Sequence, residues 1–208
     1  MLNEKTLNDF TNKVNHAHHQ FCVWMYTNNE FVKHQNDWNK IAKPEKLFTT
    51  EEFSREKGCK YKNFWPVVIF SLQCGWILSL ARLFDPAYHP CDRDKKKPRL
   101  SLYYILRLLD DARLVKLICD KFEKQQYQVT IQSIKKQRDN FLAHNDVNFK
   151  NRRIEAGVEN LFKELDDAIS KIKQNKKHLA NCNGTDLKYI ENLSSCGVDE
   201  IFEALLKN

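Results

Sequence analysis

A chain of 208 residues is long enough to bury a core of its own, and 42% hydrophobic against 29% charged residues excludes a disordered or fibrous polymer. Only five glycines and five prolines favour helices over a turn-rich β fold, while 34 basic against 27 acidic residues, net +7, favour an anionic partner. Seven cysteines, at 22, 59, 74, 91, 119, 182 and 196, form no Cys-x-x-Cys pair and read as reduced thiols of a cytoplasmic chain, mostly core filler, not as a disulfide framework.

Leu7, Phe10, Val14, Ala17, Phe21, Trp24 and Met25 recur three and four apart, which predicts an amphipathic helix from about residue 4 to 27. The charged residues Glu4, Lys5 and Asp9 at its start argue against a signal peptide. His16, His18 and His19 lie along this helix. At that spacing His18 points away from the other two and no carboxylate is conveniently placed, so they read as a solvated polar face and not as metal ligands. Phe31, Trp38 and Ile41 suggest a second, shorter helix closed by Pro44, and Thr49-Thr50-Glu51-Glu52 has the spacing of a capping box for a short helix before Gly58.

From Asn63 to Ala81 the chain carries no charge, a length that suits either a buried central helix or a membrane span. Ser71, Gly75, Ser79 and Arg82 fall on one face as a small-residue seam, with Asp85 close to it. This pattern favours the buried helix and delivers Arg82 and Asp85 to one edge of a bundle. Cys91 to Arg99 reads as a charged connector, a solvated loop first and a nucleic-acid contact second. Ser101 is a candidate N-cap for a helix through Leu102, Ile105, Leu106 and Leu109, which Leu114, Val115, Leu117, Ile118 and Phe122 extend or restart. Gln125 to Gln128 is an ambiguous join before a helix from about 129 to 145. Ile154, Val158, Leu161, Leu165, Ala168 and Ile172 then mark a long amphipathic helix that either closes the bundle or zips against a second chain. Lys171, Lys173, Lys176 and Lys177 crowd its end, where cations meet the negative pole of the helix. The expected organisation is all-α, one helical domain over 1–178 and a C-terminal appendage over 179–208 with a short helix near its end.

The 129–145 helix carries the chemistry. Ile131, Ile134, Phe141 and Leu142 share one stripe, and Arg138 falls in the middle of it. A guanidinium there has to meet anions or a wet cleft, because it cannot be deprotonated. Asn145 lies on the same face and His144 at its edge. Two readings follow: Arg138 and His144 form a site, or Arg138 bridges to Asp85 inside the bundle and His144 caps the helix end.

Arg138-Asp139-x-x-x-x-His144 resembles the arginine, polar residue, then histidine signature of the HEPN superfamily, all-helical proteins many of which are metal-independent ribonucleases of toxin and antiphage systems. Ala143-His144-Asn145-Asp146 and Leu80-Ala81-Arg82-Leu83-Phe84-Asp85 look like its AbiU-type abortive-infection branch, and the resemblance spans roughly residues 1–175. Arg82 and His89 make a second match, but Asp85-Pro86 lies between them and bars a single helix.

The resemblance implies a HEPN-like bundle, cleavage to a 2′,3′-cyclic phosphate and a 5′-hydroxyl, no cofactor and no metal. Arg138 suits the phosphate and His144 the proton transfers. Asp139 or Asn140 would orient the imidazole, with Asn145, Asp146, Arg82 and Asp85 in support, and Lys135, Lys136, Arg152 and Arg153 would line an RNA path. No aromatic stacking platform is recognisable near these bases. Six residues apart, Arg138 and His144 diverge by roughly 120° and about 9 Å on a helix. A two-fold homodimer would bring two copies together in one composite cleft. The expected partners are RNA, a second copy and an antitoxin or inhibitory protein, with no membrane. The rival reading is a non-catalytic helical module that binds RNA or such a partner.

Overall fold

The computed structural model describes residues 1–42, 64–88, 97–139 and 157–187. These form six α-helices: α1 Glu4–Ala42, α2 Phe64–Leu83, α3 Leu102–Leu108, α4 Ala112–Phe122, α5 Gln125–Gln137 and α6 Val158–Asn175. A 3-10 turn follows at Lys177–Leu179, and no strand occurs among the described residues. The chain is thus all-α over this span. It divides into two units, one of Met1–His18 with Ile77–Leu187, the other of His19–Trp76 with Lys188–Asn208.

In the first unit α6 is the helix on which the others converge, packing against α4, α5 and the 3-10 turn. Its stripe of Val158, Leu161, Phe162, Leu165, Ala168, Ile169 and Ile172 is buried within the chain, so this face of the helix closes the bundle. His18 of α1 is 4% exposed and meets Phe162 edge to face at 4.8 Å, which corrects its reading as a solvated residue. An imidazole with an apolar edge packs as readily as a phenyl ring. The segment after α6 returns along the start of α1, where Asn183 and Asp186 donate backbone N–H groups to Asn8 and Asn15 at 2.8 Å each, and Leu179 and Cys182 are buried.

In the second unit Phe21, Trp24 and Trp76 form one aromatic cluster, with Trp76 lying 5.2 Å from Phe21 and 5.4 Å from Trp24. Gly75 of α2 comes close to α1 here, since a Cβ in its place would lie 3.3 Å from the Gln20 amide. The small-residue seam meets a side chain at this point, while Ser71 and Arg82 are exposed. No helix of the described residues is long and apolar enough to cross a membrane.

Two boundaries differ from their sequence expectation, and a third settles the choice between extension and restart after α3. Helix α1 runs on through Ala42 because Thr27, 3% exposed, and Phe31, 2% exposed, carry its buried stripe forward, and Glu30 pairs with Lys33 one turn on. The chain restarts between α3 and α4: Leu109 is extended, and the Asp111 carboxylate accepts the N–H groups of Arg113 and Leu114. Helix α5 begins at Gln125, because Gln128 reaches back to the Phe122 carbonyl at 2.8 Å and Tyr127 is buried with its hydroxyl donating to Glu164 at 2.8 Å. Ser101 caps α3 as expected, accepting from the Tyr104 N–H. Pro44, the capping box at 49–52 and the helix near the C-terminus lie outside the described residues.

Gly157 sets the start of α6 beside α5. Its φ of 98° is left-handed, and an added Cβ would lie 2.7 Å from the Thr130 hydroxyl oxygen. Gly157→Ala is therefore expected to cost about 1–3 kcal/mol in urea unfolding. Thr130→Ala in the same chain should restore only the part owed to crowding, and an unchanged midpoint for the single variant would show that neither constraint acts.

Candidate functional site

Two helix ends meet at Arg138. At the first, α2 stops at Leu83 and the chain turns through Phe84 and Asp85, whose N–H groups reach the carbonyls of Ala81 and Arg82. Pro86 accounts for the stop, because it drives the residue before it out of the helical region. At the second, the regular α geometry of α5 ends at Gln137, and the Arg138 N–H is shared between the carbonyls of Ile134 and Lys135. Ile131 and Ile134 are buried, so their face places Arg138 against the end of α2.

Asp85 is 8% exposed and lies between two guanidinium groups. Arg138 Nη1 donates to one of its oxygens at 2.6 Å, and Arg99 Nη1 approaches the other at 3.4 Å. The first contact is a short charge-assisted bond and the second sits at the long limit of hydrogen bonding. Arg138 Nε donates to Asp139 at 2.8 Å, and Lys135 Nζ donates to the Phe84 carbonyl at 2.6 Å. Three cations therefore gather around two carboxylates, one of which is exposed.

Burial is the largest influence on the Arg138 guanidinium and works against its charge, yet Asp139 and Asp85 together outweigh it and raise its pKa. For Lys135 burial prevails: with Arg138 nearby it lowers the ammonium pKa, and the attraction of Asp85 and Asp139 only partly offsets it. Arg138 is fixed in its charged state, while Lys135 is held by a neutral carbonyl and gives up its proton more readily than an exposed lysine.

Of the residues singled out from the sequence, Arg138, Asp139, Asp85 and Lys135 come together. Arg82 does not join them. Its side chain is exposed because α2 ends between it and Asp85, so the helical spacing that put both on one edge no longer applies. Lys136 is exposed. Asn140, His144, Asn145, Asp146, Arg152 and Arg153 lie outside the described residues. Arg99 was missed as the last residue of a charged connector; Leu100 directly after it is the sequence signal that the chain is turning back to the core. The Arg138–Asp85 bridge is the one that the sequence offered as an alternative to a site. No group of His, Cys, Asp and Glu among the described residues is arranged to hold a metal ion. Neither protein-family models, nor curated proteins, nor solved structures gave a match to this chain.

Two outcomes check the electrostatics. In a double-mutant cycle of Asp85→Asn and Arg138→Gln, read by urea unfolding, the coupling is expected at about 1–3 kcal/mol, moderated because the Arg138 side chain keeps 23% of its surface in water. Strict additivity would mean the contact carries nothing. With Lys135, the unfolded chain binds more protons than the folded one between the lowered pKa and the ordinary value of about 10.4. The stability gained from its neutral form is complete above that ordinary value and is lost as pH falls through the window. Lys135→Met should flatten the rise of stability with pH just below about 10.4, and an unaltered slope counts against the burial of this amine.

Proposed function

We propose that the chain is a metal-independent endoribonuclease of HEPN type, a toxin or antiphage effector acting as a homodimer in the cytoplasm. RNA is the substrate, the products carry 2′,3′-cyclic phosphate and 5′-hydroxyl ends, and an antitoxin or inhibitory protein is the natural restraint. Arg138 and His144 are the catalytic pair. His144 takes the 2′-hydroxyl proton and its counterpart in the second copy returns one to the leaving 5′-oxygen, while Arg138 holds the phosphate as negative charge builds.

The observation that carries this reading is the state of the Arg138 fork. A guanidinium has five N–H donors, and among the described residues Asp85 and Asp139 engage two of them, on Nη1 and Nε. The fork is thus oriented, and no bond from Nη2 occurs among the described residues, so that edge is the one we assign to a phosphate oxygen. Arg99 reaches the Asp85 carboxylate and Lys135 the neighbouring Phe84 carbonyl, and both add positive potential without needing to touch the reacting atoms. Asp85 acts in this scheme as a positioning residue.

The same bridge favours a second reading, a helical module that binds RNA or an inhibitory partner without cleaving. At 2.6 Å the Arg138–Asp85 contact is already a complete ion pair, and such pairs occur in ordinary bundles.

Sequencing of cellular RNA ends after induction separates the two. Cyclic-phosphate ends should appear with the native chain and fall by about 10²-fold or more with Arg138→Ala or His144→Ala at unchanged folding. Mixed dimers of those two chains should regain cleavage, and EDTA should leave it intact. Equal RNA ends from the native and His144→Ala chains would leave the binding module as the function.

A further inference from the structure

Beside the cation cluster stands a group of side chains that neither the motif nor the ion pairs explain. The chain leaving Asp85 passes Pro86 and Ala87 to Tyr88. The Arg107 guanidinium lies over the Tyr88 ring, 5.1 Å from its centroid, and the Tyr104 ring meets it edge to face at 6.5 Å. Tyr88 and Tyr104 are half-buried and Arg107 is exposed. Tyr104 and Arg107 are three residues apart on α3 and so share one face.

The same contacts that build the cation cluster hold this group. The Arg99 N–H donates to the Ala87 carbonyl at 2.7 Å, and its guanidinium reaches Asp85. Two residues later Ser101 caps α3, which fixes the helix that carries Tyr104 and Arg107. Tyr88 is three residues from Asp85, so their Cα atoms are at most about 11 Å apart. An exposed arginine over a tyrosine ring offers an aromatic, positively charged surface. A nucleobase accepts such a surface on its π face whatever its sequence.

The geometry points to Tyr88, Tyr104 and Arg107 as a stacking platform for one unpaired nucleobase of an RNA strand whose phosphates lie on the Arg138, Lys135 and Arg99 side. This rests on the reading that the chain binds RNA. It goes further in selecting single strands, because a paired base is already stacked and cannot enter. The platform sets which strand is held, and the cations hold it.

The test uses the full chain carrying His144→Ala, so that the probe stays intact, and fluorescence anisotropy with a labelled single-stranded RNA decamer of mixed sequence and its blunt duplex. Tyr88→Ala should weaken decamer binding about 5- to 150-fold with no change in its salt dependence, and should leave duplex binding as it was. Tyr88→Phe should bind the decamer like the parent, and Tyr88→Leu, which keeps apolar bulk without a π face, should bind like Tyr88→Ala. Equal decamer affinity for the parent and Tyr88→Ala overturns the platform, as does equal loss on decamer and duplex, or failure of the parent to bind the decamer. If binding depends on Tyr88 while the unsubstituted chain cleaves no RNA, the platform stands and the ribonuclease falls. If RNA is cleaved and Tyr88→Ala changes nothing, the reverse holds.

Discussion

The carboxylate of Asp85 is the constraint on which the described architecture turns. It is 8% exposed and paired with residues from distant parts of the chain: Arg99 ahead of α3 and Arg138 at the end of α5. Satisfying one buried charge therefore ties three segments to one point. An apolar group of the same volume would stabilise as well, since the cost of taking such ions from water cancels most of their attraction. What the ion pair supplies is position: a guanidinium fork bonds in few orientations, so the end of α5 is fixed in rotation as well as in place.

That fixed point depends on a second anchorage further back along α5. Tyr127, at the start of the helix, donates to Glu164 of α6, which also meets Lys121 of α4 at 3.0 Å. Thr130 sits where Gly157 leaves room for it and bonds back to the Gln126 carbonyl at 3.0 Å. Buried Ile131 and Ile134 fill the space between these polar contacts and the motif. Helix α5 is thus held at its base by α4 and α6 and at its tip by the end of α2, which leaves little freedom in where Arg138 points. The Lys135 ammonium, seated on the Phe84 carbonyl, adds a further bond between α5 and the turn after α2.

Much of this was legible in the sequence where a single physical rule governed the outcome. The stripe of α6 from Val158 to Ile172, the Ser101 cap and the apolar face of α5 follow from spacing and hydrogen-bonding chemistry alone. So did the two alternatives for Arg138, because a charge on an apolar face admits few solutions. Failures came where side chains behave against type. Thr27 holds a core position that breaks the apolar spacing of α1, and His18 packs as an aromatic ring. The restart at Asp111 was ambiguous because leucine and isoleucine continue on both sides of it, and only the carboxylate caps reveal the break. Arg99 and the Tyr88 group were illegible for a different reason: residues 14 to 19 apart in sequence meet, and no periodicity encodes such pairings.

The energetics of the Arg138 cluster bear on how an ion-paired arginine can serve an incoming anion. Replacing Asp85 on the fork by phosphate would strand a buried carboxylate, a loss of several kcal/mol that no single phosphate contact recovers. A phosphate bound on the Nη2 edge avoids that loss, because Asp85 and Asp139 keep Nη1 and Nε and the added anion meets a site whose cations outnumber its carboxylates. The charge that burial alone would weaken is held by the carboxylates, so Asp85 and Asp139 sustain the positive end that they partly neutralise. Under the proposed function the two parts of the surface then divide the work by distance dependence. Coulombic attraction from Arg138, Arg99 and Lys135 reaches about 10 Å at ordinary salt and recruits any phosphate chain, whereas the Tyr88 ring acts only in contact and discriminates by whether a base is free.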